Sequence, residues 1–255
     1  MIEVKYISKQ FGERVILDEI SMAFPKGKIT SLIGSNGAGK STLLSIISRL
    51  LNQDNGNVLV NNKNNSDYKN SVLAQHLSIL KQFNNIELKL TVRELVSFGR
   101  YPYSKGRLKK EDQEKIEEAI EFLDLEEIQE AYLDELSGGQ RQRAYLAMVV
   151  AQDTDYVLLD EPLNNLDMRH SVQIMKILRM LTEELGKTVI IVLHDINFAS
   201  HYSDYIAALK GGKVKYFGSA NEIINAEILK DIFGINFCIS HSGGKKLCNY
   251  FNHLN

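Results

Sequence analysis

Residues 34–41 read GSNGAGKS and fit the spacing GxxxxGK[ST] at every fixed position. In such a run the glycines Gly34, Gly37 and Gly39 let the backbone curl until successive N–H groups point inward, forming a cradle for the α- and β-phosphates of a nucleotide. Lys40 is expected to reach the β- and γ-phosphate oxygens and the Ser41 hydroxyl to ligate Mg²⁺, while Ser35, Asn36, Ala38 and Thr42 complete the cradle. An apolar run at 29–33 precedes the loop and another at 43–51 follows it, so a strand feeds the turn and the turn feeds a helix. The unpaired donors and dipole of that helix N-terminus also favour an anion. The predicted ligand is a nucleoside triphosphate.

Two further apolar runs stop at polar groups. Residues 156–159 end in Asp160 and Glu161, and residues 188–193 end in His194. Open parallel sheets bind ligands outside the carboxyl ends of their strands, which would bring all three polar termini to one crevice. There Asp160 is expected to hold Mg²⁺ directly or from the second shell, and Glu161, one residue nearer the γ-phosphate, to polarise the attacking water. A fourth stretch, residues 136–143, reads LSGGQRQR: Ser137 and Gln140 form a capping box at another helix start, with Gly138 and Gly139 permitting close approach of an anion.

Positioning these groups takes alternating strands and helices. Strand-like runs at 2–7, 16–24, 29–33 and 58–60 form the first third. Thr91 and Glu94 then mark a capped helix, and Ile116, Ile120 and Leu123 recur at helical spacing among Glu and Lys, so residues 84–136 read as a helical insert. Ile174, Leu178, Leu181 and Leu185 form the core stripe of a helix stopped by Gly186. The pattern is that of an α/β protein with a mainly parallel sheet.

A chain of 255 residues, 44% hydrophobic, can build a sizeable core. No apolar stretch is long enough to span a membrane, and the start MIEVKYISK has no signal-peptide core, which leads us to expect a cytoplasmic protein. Thirty Lys and Arg against 32 Asp and Glu leave a net charge of −2 and no basic footprint for nucleic acid. Cys238, His241, Cys248 and His253 share one short tail, yet no close ligand pair such as CxxC occurs among them. Alternation at 236–240 and 246–251 around SGGK reads instead as a hairpin whose cysteines are packed thiols.

With GSNGAGKS, LSGGQ, VLLDEP and the strand-ending His194 in place, residues 11–218 resemble an ABC-type ATPase, the nucleotide-binding subunit of an ATP-driven membrane transporter. The resemblance implies a phosphate-loop NTPase (RecA-like) core with an antiparallel β subdomain and an inserted α-helical subdomain. It implies ATP hydrolysis with Mg²⁺, on the cytoplasmic face of the membrane, in a domain spanning 1–218 with a tail at 219–255. Phe11 is implied to stack on adenine, Gln82 to join Mg²⁺ and water to the insert, and His194 to contact the γ-phosphate. Asn164, Asn165, Leu166 and Asp167 correspond to a loop that crosses the dimer interface. Two copies, identical or closely homologous, are implied to pack head to tail, each placing Ser137, Gly138, Gly139 and Gln140 over ATP held by the other. The segments EPLNNLDMRH and SFGRYPY are similar to those of importer ATPases for ferric siderophores, haem and cobalamin, so membrane permease subunits and, indirectly, a substrate-binding protein are implied partners. Residues 98–103 would lie near the groove for a permease helix. Lys81 stands where many relatives have proline. ABC-type ATPases of chromosomes or ribosomes form the competing class, but this chain has neither a long coiled-coil insertion nor a second ATPase unit.

Overall fold

The structure, a computed structural model, describes residues 1–81 and 89–251. Gln82 and the start of the insert at Asn84 lie outside the described residues, as does His253. In chain order the elements are β1 (Ile2–Phe11), β2 (Arg14–Phe24), β3 (Ile29–Ile33), α1 (Lys40–Ile47), β4 (Asn55–Val60), β5 (Lys63–Asn64), α2 (Asn70–His76) and β6 (Leu77–Leu80). Next come α3 (Val92–Ser97), α4 (Tyr101–Ser104), α5 (Lys110–Phe122), α6 (Gly138–Ala151), β7 (Tyr156–Asp160), α7 (Met168–Glu183), β8 (Thr188–Val192) and α8 (Ile196–Tyr202). The chain closes with β9 (Tyr205–Lys210), β10 (Lys213–Ser219), α9 (Ala220–Ile223), α10 (Ala226–Phe233), β11 (Cys238–Ser242) and β12 (Lys245–Asn249).

The central sheet has the order β10-β9-β3-β8-β7-β6. Every pairing from β9 through to β6 is parallel, and β10 closes the far edge antiparallel to β9. A separate antiparallel sheet has the order β2-β1-β4-β5. Strands β3, β7 and β8 are buried along their whole length, which is why each reads as a continuous apolar run: parallel strands are covered on both faces. The pleat divides them between two cores. Val157, Leu159, Val189 and Ile191 join the cluster that includes α7 and the insert. Tyr156, Leu158, Ile190 and Val192 join the cluster built with α1 and the antiparallel sheet. A one-residue slip in either strand would exchange the two faces.

Both predicted capping boxes are present, Thr91 with Glu94 on α3 and Ser137 with Gln140 on α6. Two sequence expectations are corrected. The helix after the phosphate loop ends at Ile47 rather than near residue 51, because Arg49 turns the chain with a φ of 60°. Leu185 is 48% exposed and leaves the stripe of Ile174, Leu178 and Leu181, since α7 stops at Glu183 and the chain departs through Gly186 at a φ of 63°.

Beyond residue 219 the chain does not trail away. Ile223, Leu229, Ile232, Phe237 and Cys248 join the first core cluster. The β11–β12 register opposes Cys238 to Asn249 and Ile239 to Cys248, which puts the two cysteines on opposite faces, one exposed and one buried. That register separates the tail's two thiols as metal ligands, and the described residues hold no cluster of His, Cys, Asp or Glu suited to a metal ion.

Candidate nucleotide-binding site

Adjacent strands β3, β8 and β7 deliver three polar termini to one end of the sheet. The loop after β3 depends on glycine at two tight points. At Gly34, with a φ of 140°, a Cβ would collide with the Leu209 carbonyl; at Gly39, with a φ of 98°, it would lie 2.5 Å from Leu17 Cδ2. Gly39 precedes α1 with no side-chain cap, so the first helical donors face the loop. Lys40 is buried, and its Nζ donates to the carbonyls of Gly34 at 2.8 Å and Ser35 at 3.1 Å. Burial lowers its pKa against the opposing pull of Glu161 and Asp160. The ammonium thus sits inside its own loop, held by neutral acceptors that phosphate oxygens would outbid.

Ser41 Oγ donates to Asp160 Oδ1 at 2.7 Å, joining the phosphate loop to the end of β7. Burial pushes the Asp160 carboxyl above the usual carboxylate range; the neighbouring Glu161 adds to the shift, and the Ser41 hydroxyl together with Lys81 and Lys40 oppose it. Glu161 follows at a φ of 53°, a left-handed conformation that costs a non-glycine residue roughly 1–3 kcal/mol and here turns the side chain out of the sheet. One oxygen, Oε1, lies 2.6 Å from His194 Nε2, and the other, Oε2, accepts from Asn164 Nδ2 at 2.5 Å. His194 and Glu161, 33 residues apart in sequence, are therefore in direct contact.

Phe11, Asn36, Gly37, Gly39, Lys40, Ser41, Thr42 and Glu161 line one cleft of about 270 Å³. Phe11 is 53% exposed at its mouth, where a planar base can stack. Arg14 and Ile16 also line it and were missed by the sequence reading. Arg14 is the cross-strand partner of Phe11 over a tight turn, and only that pairing brings its cation beside the aromatic at the cleft. The signature residues Ser137, Gly138, Gly139 and Gln140 are not among the residues lining this cleft. Ser137 and Gly138 face solvent at the start of α6.

Fold and site together define a phosphate-loop nucleotide-binding protein built on a parallel α/β sheet. The family described as ABC transporter matches residues 17–164, and the chain belongs to it. It is 54% identical over 252 residues to the petrobactin import ATP-binding protein YclP of Bacillus subtilis (strain 168), spanning 99% of this chain and 100% of that one. It is 42% identical over 228 residues to the iron(3+)-hydroxamate import ATP-binding protein FhuC of the same strain, spanning 89% and 85%. Among solved structures, a dimeric ATP-binding cassette in a post-hydrolysis state, bound to ADP and Pi, superposes with a TM-score of 0.75 at 32% identity, covering 86% of this chain and 99% of that one. No helix among the described residues is long and apolar enough to cross a membrane.

Proposed function

We propose that this chain is the ATP-hydrolysing subunit of an importer for a ferric siderophore or a similar metal chelate. The observation that carries the reading is the meeting of Lys40, Ser41, Asp160, Glu161 and His194 at the carboxyl ends of three neighbouring strands, in a chain so similar to an import ATP-binding protein. In the proposed reaction Phe11 stacks on adenine, Lys40 exchanges its loop carbonyls for β- and γ-phosphate oxygens, and the loop N–H groups hold the triphosphate. Glu161, with one oxygen on His194 and the other on Asn164, orients a water and accepts its proton as the γ-phosphoryl group leaves. His194 keeps that carboxylate aligned and follows the presence of the γ-phosphate.

Magnesium fits the residues present: the Ser41 hydroxyl and the Asp160 carboxylate are hard oxygen donors 2.7 Å apart. When bound with the nucleotide, Mg²⁺ would neutralise charge on the β- and γ-phosphates. Gln82, outside the described residues, is proposed as a further ligand on the strength of the family resemblance alone.

Because the signature lies away from the cleft of its own chain, we propose a head-to-tail dimer in which each copy closes the other's site. Residues 1–218 form the proposed ATPase domain, and residues 219–255 a tail. The insert at 84–136 would face the permease on the cytoplasmic side of the membrane. There Phe98, Tyr101 and Tyr103 are exposed beside a buried anchor: Arg100 pairs with Asp112 at 3.0 Å, donates to the Ala151 carbonyl and stacks on Tyr103.

The central test is Glu161→Gln. It keeps shape while removing the base, so ATP should still bind, turnover should fall by about 10²- to 10⁴-fold, and ATP should drive the variant into dimers. Near-normal turnover would remove Glu161 from the role. The cargo is tested in cells lacking this chain: the wild type, but not Lys40→Ala, should restore uptake of radio-iron carried by petrobactin. Uptake indifferent to the chain would reject the siderophore assignment.

A further inference from the structure

Asp167 ends the loop that follows Glu161 and caps α7, and His170 stands in the first turn of that helix. Both the backbone N–H of His170 and its ring Nδ1 reach Asp167 Oδ1, at 2.9 and 2.8 Å. A carboxylate only accepts, so Nδ1 carries the proton and the opposite edge of the ring is turned away. That edge rests on Gly139 of the signature: a Cβ there would collide with Cδ2 and lie 2.6 Å from Nε2. Gly139 is buried while its neighbours Ser137 and Gly138 are exposed. One imidazole therefore touches the start of α6, which leads out of the insert, and the cap of the loop that leaves β7. A local helix cap accounts for the Asp167 bond. It does not account for the seat on Gly139, where α6 leaves no room for any side chain but hydrogen.

We propose that His170 is a positioning residue that locks the exposed signature edge and the loop at 164–167 into one preformed surface, presented to nucleotide held by a second copy of this chain. The inference rests on the head-to-tail dimer proposed above. His170 takes no part in bond breaking. It removes a freedom that association would otherwise have to freeze, so its effect falls on assembly rather than on nucleotide binding to a single copy.

The test uses the Glu161→Gln chain, with a fluorescent ATP analogue to read nucleotide affinity at protein concentrations below association and sedimentation to read ATP-driven dimerisation. Adding His170→Ala should leave nucleotide affinity within about twofold and weaken dimerisation on the order of tenfold. His170→Asn, which keeps a donor near the Nδ1 position but not the ring on Gly139, should fall between. Gly139→Ala drives the ring off its seat, so its effect and that of His170→Ala should combine to less than their product, since both break one contact. Dimerisation unchanged by His170→Ala, an equal loss of nucleotide affinity, or a fully multiplicative double variant would overturn the proposal. A Glu161→Gln chain that stays monomeric at saturating ATP would instead defeat the dimer reading, and the role of His170 with it.

Discussion

Asp160 and Glu161 are adjacent in sequence and opposite in circumstance. Asp160 completes β7, buried, with one oxygen on Ser41, whereas Glu161 is thrown outward by its left-handed backbone. Burial lifts the Asp160 pKa, so between its ordinary value near 3.8 and the raised folded one the native state binds more protons than the unfolded chain. Stability from this group is therefore greatest below that window and falls as pH rises through it. Asp160→Asn should abolish this part of the pH dependence of unfolding, leave the nucleotide-free protein as stable or more so at neutral pH, and cripple hydrolysis; denaturation curves across pH, with and without the substitution, check it. A variant less stable than wild type at neutral pH would mean that the carboxylate contributes more to the fold than its burial costs. Such a trade of stability for activity is common where a buried charge awaits its ligand.

At the scale of elements, the tail is tied to the machinery through α8. This helix begins two residues after His194 and is capped by Asp195, which accepts from Asn197 N and Phe198 N. The Asn197 side chain then bonds both backbone groups of Cys248, accepting at 2.8 Å and donating at 3.3 Å, and Ser200 Oγ donates to the Lys246 carbonyl at 2.6 Å. Strand β12 is thus fastened along the helix that begins just after His194. Asn197→Ala would leave two backbone groups of β12 unpaired, at a cost of about 1–3 kcal/mol. The thiols report the outcome. Cys238 is exposed and should react quickly with an alkylating reagent, while Cys248, buried with its pKa pushed up to about 11, should be protected until the hairpin lifts. In Asn197→Ala, labelling of Cys248 should accelerate on the order of tenfold; an unchanged rate would mean that apolar packing of Phe237 and Ile239 alone holds the hairpin.

At the scale of the whole molecule, the proposed function uses two surfaces. One carries the cleft and, apart from it, the signature edge, and in the proposed dimer has its full complement of contacts only when a second copy supplies the missing half. The other, the proposed permease surface, carries exposed Phe98 and Tyr101 beside the buried Arg100, which pairs with Asp112 and stacks on Tyr103. Replacing both aromatics by alanine should leave hydrolysis by the isolated chain within about twofold while weakening capture of the permease on the order of tenfold or more, because exposed aromatic anchors commonly dominate such interfaces. Pull-down of the permease and iron uptake in cells read the effect. Equal permease capture by the variant would move the docking surface elsewhere.

Much of this site was legible in the residues, because phosphate chemistry constrains local sequence: a nest of N–H groups needs glycine at set intervals, and a fully covered strand must be apolar throughout. Residues 34–41, the strand ends at Asp160 and His194, and the two capping boxes all declare themselves within a few positions. What the chain could not declare locally was contact between distant segments. The 2.6 Å approach of His194 to Glu161 depends on β8 lying beside β7, and Arg14 enters the cleft only because a hairpin turns it beside Phe11. Leu185 left the core stripe through a helix end that periodicity does not reveal, and the tail joined the main core through Asn197 and Cys248, which no motif links. Local patterns are written by backbone geometry and solvent, so the sequence alone determines them; which patterns meet is decided by packing of whole elements, and that belongs to the tertiary structure.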